Sequence, residues 1–223
     1  MATVSTDLWA DELTVMLPGA TKAAIQLALR ATFREFCLQS GAWVRELPLI
    51  DLDEGVSTYE LAPYVADAEI LYILAVMWRA ESSPEAYYRA LRGLQVPNNR
   101  GRRVTVSEAP VAYYGNTEQP SRITVDPTPS KDLPQSLLVY AALGPKYPYE
   151  DTMPAFFRSH LFDVILDGTA GRMMGQQDKP YTNTIGAQYY MRRFRTGMAQ
   201  ARDMARRQFT SAETGFRFPS WAR

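Results

Sequence analysis

The chain has 223 residues, 46% of them hydrophobic and 22% charged, the profile of an ordinary globular protein able to bury a core in one domain, or in one domain with an insertion. Lys+Arg and Asp+Glu both number 24, so the formal charge is zero and excludes an overall electrostatic pull towards nucleic acid or anionic membrane; any DNA contact has to be local or transient. The single cysteine, Cys37, excludes an intramolecular disulfide, and its neighbours Phe33, Phe36 and Leu38 suit a packed thiol in a reducing compartment.

Around Leu8 and Trp9 the acids Asp7, Asp11 and Glu12 stand where a signal peptide has basic residues. The longest apolar run, Ile70 to Trp78, is well short of the roughly 20 residues that cross a bilayer. A soluble protein made in the cytoplasm is therefore expected.

Pro18 and Thr21 introduce a segment in which Ile25, Leu29, Phe33 and Phe36 recur at helical spacing, and Gly41 supplies a stop. Val44 to Leu52 and Thr58 to Leu61 read as strands around a turn at Asp53, Glu54 and Gly55. Glu69 to Arg79 is apolar on both faces, so its period does not choose between a buried strand and a buried helix; it is taken as a strand. From Ser82 to Arg103 the composition turns polar. A short helix through Tyr87, Tyr88 and Leu91 is expected there, before breakers at Pro97, Asn98, Asn99 and Gly101.

Ala112 to Gly115, Arg122 to Asp126 and Ser136 to Leu143 are β-type runs, with Ile123 and Val125 alternating against Arg122, Thr124 and Asp126. The character changes at Pro145 to Pro148. Beyond it, Phe157, Leu161, Val164, Ile165 and Gly168 mark one helical face. A second face follows in Ala187, Tyr190, Met191, Phe194, Met198, Ala201 and Ala205, after a turn near Gln177 to Pro180. The expected fold class is α+β: a three-helix core (about 20–41 and 153–209) with a β-rich insertion (about 42–143) between the first and second core helices, and an extended C-terminal arm over 210–223.

Residues that carry chemistry are sparse. His160 is the only histidine, so a Ser/His/Asp or Cys/His constellation has to use it, and in RSHLFD it reads as a helix-surface or structural residue. One histidine and one cysteine exclude the common zinc sets. Asp163 and Asp167 share a helix face and leave open a carboxylate site for a divalent ion, against plain surface charge. Gly168, Gly171 and Gly175 suggest a phosphate loop, yet no Lys-Ser/Thr pair follows, and small residues at this spacing favour close helix packing.

The last helix carries Arg192, Arg193, Arg195, Arg202, Arg206 and Arg207 against one acid, Asp203. Either it grips an acidic protein partner or DNA, or it is a solvated face. The segment Ser211 to Arg223 holds Phe216, Phe218 and Trp221 with Arg217 and Arg223, a composition typical of interface cores, and reads as an arm that docks on another subunit or partner, against packing on its own domain.

Several stretches resemble the head-to-tail adaptor, or tail tubular protein A-like, family of short-tailed bacteriophages. They are REFCLQSGAW at Arg34 to Trp43, the YEL and ILYILAVMW runs, RITVDPTP at Arg122 to Pro129, SLLVYAALGP at Ser136 to Pro145, and the paired helices of Met153 to Arg202 with their small-residue run, KPY turn and terminal GMAQAR. The resemblance covers most of the chain, is weakest from Arg79 to Val111 and beyond Phe209, and rests on order and spacing with no single diagnostic motif.

It implies a structural virion protein without catalytic residues, metal or cofactor. Its neighbours would be the portal protein, a tail nozzle (tail tubular protein B-like) protein and copies of itself in a ring, usually dodecameric, whose lumen passes genomic DNA without reading sequence. It would be assembled in the host cytoplasm and reside in the virion neck, with no membrane. The residues expected to face the portal or another protein are Arg202, Arg206, Arg207, Phe216, Arg217, Phe218, Trp221 and Arg223. The alternatives are a small hydrolase or nuclease using Asp163 and Asp167 with a divalent metal, and another neck or tail-completion protein.

Overall fold

The computed structural model describes residues 3–63, 68–79, 88–94, 106–107, 110–115, 118–146 and 152–210. The chain divides into two compact units, one formed by Met1–Ala42 with Pro145–Arg223 and the other by Trp43–Gly144.

In the first unit a short strand pair, β1 (Thr3–Ser5) with β13 (Thr152–Pro154), precedes a cluster of five helices: α1 (Asp7–Met16), α2 (Lys22–Ser40), α3 (Ala155–His160), α4 (Phe162–Met174) and α5 (Thr184–Thr210). Local chemistry fixes both ends of α2. The Thr21 side chain accepts from the Ala24 N–H at 3.3 Å, and Gly41, at φ 60°, takes the left-handed conformation that a side chain resists while its N–H donates to the Cys37 carbonyl.

Between these caps Ile25, Leu29, Phe33 and Phe36 are fully buried. Around them gather Trp9 and Phe157 edge-on to Phe33, with centroids 5.2 and 5.3 Å away, and Phe194 tilted against Phe36 at 6.4 Å. Trp9 also stacks on Phe162 and donates its indole N–H to the Phe162 carbonyl at 3.2 Å, so the buried ring leaves no orphan donor. Truncating any one of these fully buried aromatics costs about 3–5 kcal/mol.

The second unit is built from strands. Its larger sheet runs β2 (Val44–Glu46), β12 (Leu133–Pro145), β5 (Ala68–Trp78), β6 (Arg89–Ala90), with β3 (Ile50–Leu52) also on β12. The two long members lie inside the sheet, which is why both are apolar on both faces. A four-stranded sheet follows the order β4 (Thr58–Glu60), β10 (Arg122–Asp126), β9 (Ala112–Gly115), β7 (Arg92–Leu94), and β11 (Thr128–Pro129) pairs with β8 (Val106–Ser107). In β10, Ile123 and Val125 point inward, while Arg122 reaches Glu60 across the pair at 2.7 Å.

Three expectations are corrected. The molecule is not a three-helix core with a β-rich insertion: among the described residues it is β-rich, with thirteen strands and five helices, and strands occur in the helical unit as well. The helix expected near Tyr88 and Leu91 is absent among the described residues, because Arg89–Ala90 and Arg92–Leu94 are extended and pair as strands; Tyr87 lies outside them. The single helix expected through Phe157 and Gly168 is two, α3 and α4, divided at Leu161, whose φ of −128° leaves the helical region. No helix among the described residues is long and apolar enough to cross a membrane.

Candidate interaction surface

Helix α5 begins where the Asn183 side chain accepts from the Gly186 N–H at 2.9 Å. It then lies tightly along α4. A Cβ built at Gly168 would stand 2.6 Å from Phe194 and 2.7 Å from Thr32, one at Gly171 2.8 Å from Met191, and one at Gly197 2.6 Å from Val164. These glycines let the helix backbones close up, so the small-residue run is packing and not a phosphate cradle. Gly175 caps the end of α4.

On this interface Asp167 is buried and its carboxylate meets the Arg193 guanidinium at 3.0 Å. Burial pushes its pKa upward, Arg193 pulls it down and Asp163 adds to the rise; the net direction is up. Arg193 also lies over the Tyr189 ring.

The Asp163 and Asp167 pair therefore does not stand free as a metal dyad, since one carboxylate already faces an arginine. Among the described residues no group of three or more His, Cys, Asp or Glu side chains is placed to hold a metal ion. His160 ends α3 and is exposed. Cys37 is fully buried, and that burial drives its thiol far above the ordinary range, away from the reactive thiolate.

With its apolar side committed to α4 and α2, α5 turns a different set outward. Ile185 is 83% exposed and Tyr189 56%, and Arg192 and Arg195 are exposed beside them. Two turns beyond Arg195, Arg202 is exposed but engaged at home: its Nε donates to the Gln39 carbonyl at 2.8 Å, and a second guanidinium nitrogen donates to the same oxygen. Arg202 thus satisfies a carbonyl in the last turn of α2. Compared with protein-family models and with curated proteins, the chain matches none.

Of the other expected interface residues, Arg206 and Arg207 lie on the last turns of α5 with side chains outside the described set, and Phe216, Arg217, Phe218, Trp221 and Arg223 lie outside the described residues. Reading the sequence overlooked α1. Its Trp9 and Leu13 are buried, whereas Leu8, Asp11, Glu12 and Val15 form an outward face at i, i+3, i+4 and i+7. That spacing was available in the sequence as its signal.

Proposed function

We propose that this chain is a structural assembly protein, the head-to-tail adaptor of a short-tailed bacteriophage, forming a ring between portal and tail nozzle through which DNA passes. The observation that carries the reading is the outward face of α5, a helix of 27 residues that buries one side on α4 and α2 and holds Ile185, Tyr189, Arg192 and Arg195 in water. Exposed aromatic and arginine side chains on a rigid element are what interface centres use. The order and spacing of motifs along the chain, which resemble that family, support the reading, and the function would reside in interfaces and not in a catalytic centre.

The zero formal charge suits a conduit, because a strongly basic lumen would hold DNA through counterion release and not let it slide. In this reading the helical unit packs beside its neighbours, the basic end of α5 and the segment 211–223 bind the portal, and loops of the β region meet the tail. The test is electron microscopy of the protein mixed with the portal protein of the same virus. A closed ring seated on the portal is expected; absence of any complex overturns the adaptor reading.

A further inference from the structure

The outward faces of α1 and α5 are complementary in charge and alike in greasiness. On α1, Asp11 and Glu12 sit between Leu8, 38% exposed, and Val15, 83% exposed. On α5, Arg192 and Arg195 follow Ile185 and Tyr189. Among the described residues neither acid and neither of these two arginines has an ion-pair partner, in contrast to Asp7, held by Lys22 at 2.7 Å, and Arg193, held by Asp167.

The two faces also look away from each other. A helix advances about 100° per residue, so Phe162, which receives Trp9 of α1, leaves α4 on the side opposite Val164, Gly168 and Gly171, which receive α5. Within one molecule, the acidic face of α1 cannot meet the basic face of α5.

We infer that the two faces join different copies of this chain, the Leu8/Asp11/Glu12/Val15 face of one docking on the Ile185/Tyr189/Arg192/Arg195 face of the next. Neither face is self-complementary, because α1 against α1 sets acid on acid and α5 against α5 sets arginine on arginine. A two-fold contact is thereby disfavoured and the pairing is head-to-tail, a geometry that ends only by closing into a ring or by running on as a filament. The apolar residues at the margins supply area, and the charges supply register. This inference deepens the ring reading and rests on it for closure, whereas the pairing itself is measured on the isolated protein.

Sedimentation velocity of the full chain, at rising protein concentration in low and in high salt, tests it with two double variants. Asp11→Lys with Glu12→Lys makes α1 basic, and Arg192→Glu with Arg195→Glu makes the outer face of α5 acidic; all four positions are exposed, and melting temperatures check that folding is intact. Wild type is expected to associate in low salt and to come apart in high salt. Each variant alone should associate roughly 100-fold more weakly, since both of its contacts set like charges together. An equimolar mixture should recover assembly, because each basic α1 then finds an acidic α5 and each acidic α1 a basic α5.

Should the glutamates lower the melting temperature, Arg192→Gln with Arg195→Gln takes their place and is expected to weaken association about tenfold. A wild type that stays monomeric at every concentration in low salt, a variant that associates like wild type, or a mixture of folded variants that fails to recover, overturns the inference. Wild-type rings on the portal with no such charge dependence would overturn this contact alone and leave the adaptor reading standing.

Discussion

Replacing Gly168 by alanine tests how closely α4 and α5 are joined. Within a helix this change ordinarily stabilises by up to about 1 kcal/mol, because alanine restricts the unfolded chain and favours the helix. Here the added methyl would lie 2.6 and 2.7 Å from two ring carbons of Phe194 and 2.7 Å from the Thr32 methyl, well inside the distance at which non-bonded carbons repel. Neither neighbour has room to retreat, since Phe194 and Thr32 are buried. Overpacking of this kind costs about 1–3 kcal/mol, and three contacts under 3 Å with buried neighbours put Gly168 at the upper end, so after the propensity gain a net loss of about 2 kcal/mol is expected. For a chain of this length that loss lowers the melting temperature by up to about 8 °C.

Thermal unfolding followed by the helical circular dichroism signal measures the loss. The companion Phe194→Leu removes the ring carbons concerned and should render Gly168→Ala less costly in its background, a coupling that a double-mutant cycle reads directly. If Gly168→Ala is neutral or stabilising in the wild-type background, the helices are not in the close approach described, and the packing account of the small-residue run is wrong.

Three further outcomes are expected. Asp167 has a raised pKa, so its contribution to stability is full below the ordinary carboxylate range and is lost as pH rises through its folded value. Asp167→Asn should therefore match or exceed wild-type stability at neutral pH with the advantage vanishing at about pH 4, while Arg193→Met should destabilise at neutral pH and not at low pH; urea titrations across pH decide, and a clear neutral-pH loss in Asp167→Asn would falsify the sign. His160→Ala, at an exposed position, should leave folding intact and, on the proposed adaptor function, ring assembly and phage viability too; a viability loss with assembly preserved would argue for a chemical role. On the proposed adaptor function, deleting 211–223 should leave the melting temperature within a few degrees of wild type but abolish co-sedimentation with portal, because aromatic anchors, the role proposed for Phe216, Phe218 and Trp221, are each worth about 2 kcal/mol or more at an interface centre and the loss would multiply around a ring.

What could be read from the chain follows how local its determinants are. Helix α2 is legible because its cap, stripe and stop, Thr21, Ile25 to Phe36 and Gly41, all lie within one stretch. Strand β5 needed only the recognition that a short run apolar on both faces suits an interior position in a sheet. Helix α1 has its spacing in the sequence, but where it docks is not local: Trp9 is held by Phe162, 153 residues away. The division of α3 from α4 is hidden because Phe157, Leu161 and Ile165 keep a four-residue spacing straight across the break.

The same limit applies to charge. The basic bias of α5 is visible by counting, but that Arg193 belongs to Asp167 and Arg202 to the Gln39 carbonyl, leaving Arg192 and Arg195 facing outward, depends on which helix faces meet. Spacing within one segment cannot supply that information.

The division of the first unit between residues 1–42 and 145–223 sets the order in which the protein can fold as it is synthesised. The strand-built unit is continuous and is complete once Gly144 has emerged. Trp9, Phe33 and Phe36, by contrast, wait for Phe157, Phe162 and Phe194. At roughly 5–20 residues per second, the intervening stretch of about 100 residues takes about 5–20 seconds to make. Throughout that interval the first helices carry their aromatic stripe unmatched, within reach of other chains still being made. Chaperone capture and premature association would therefore act on residues 1–42, and the vulnerable species is the nascent chain more than the finished one.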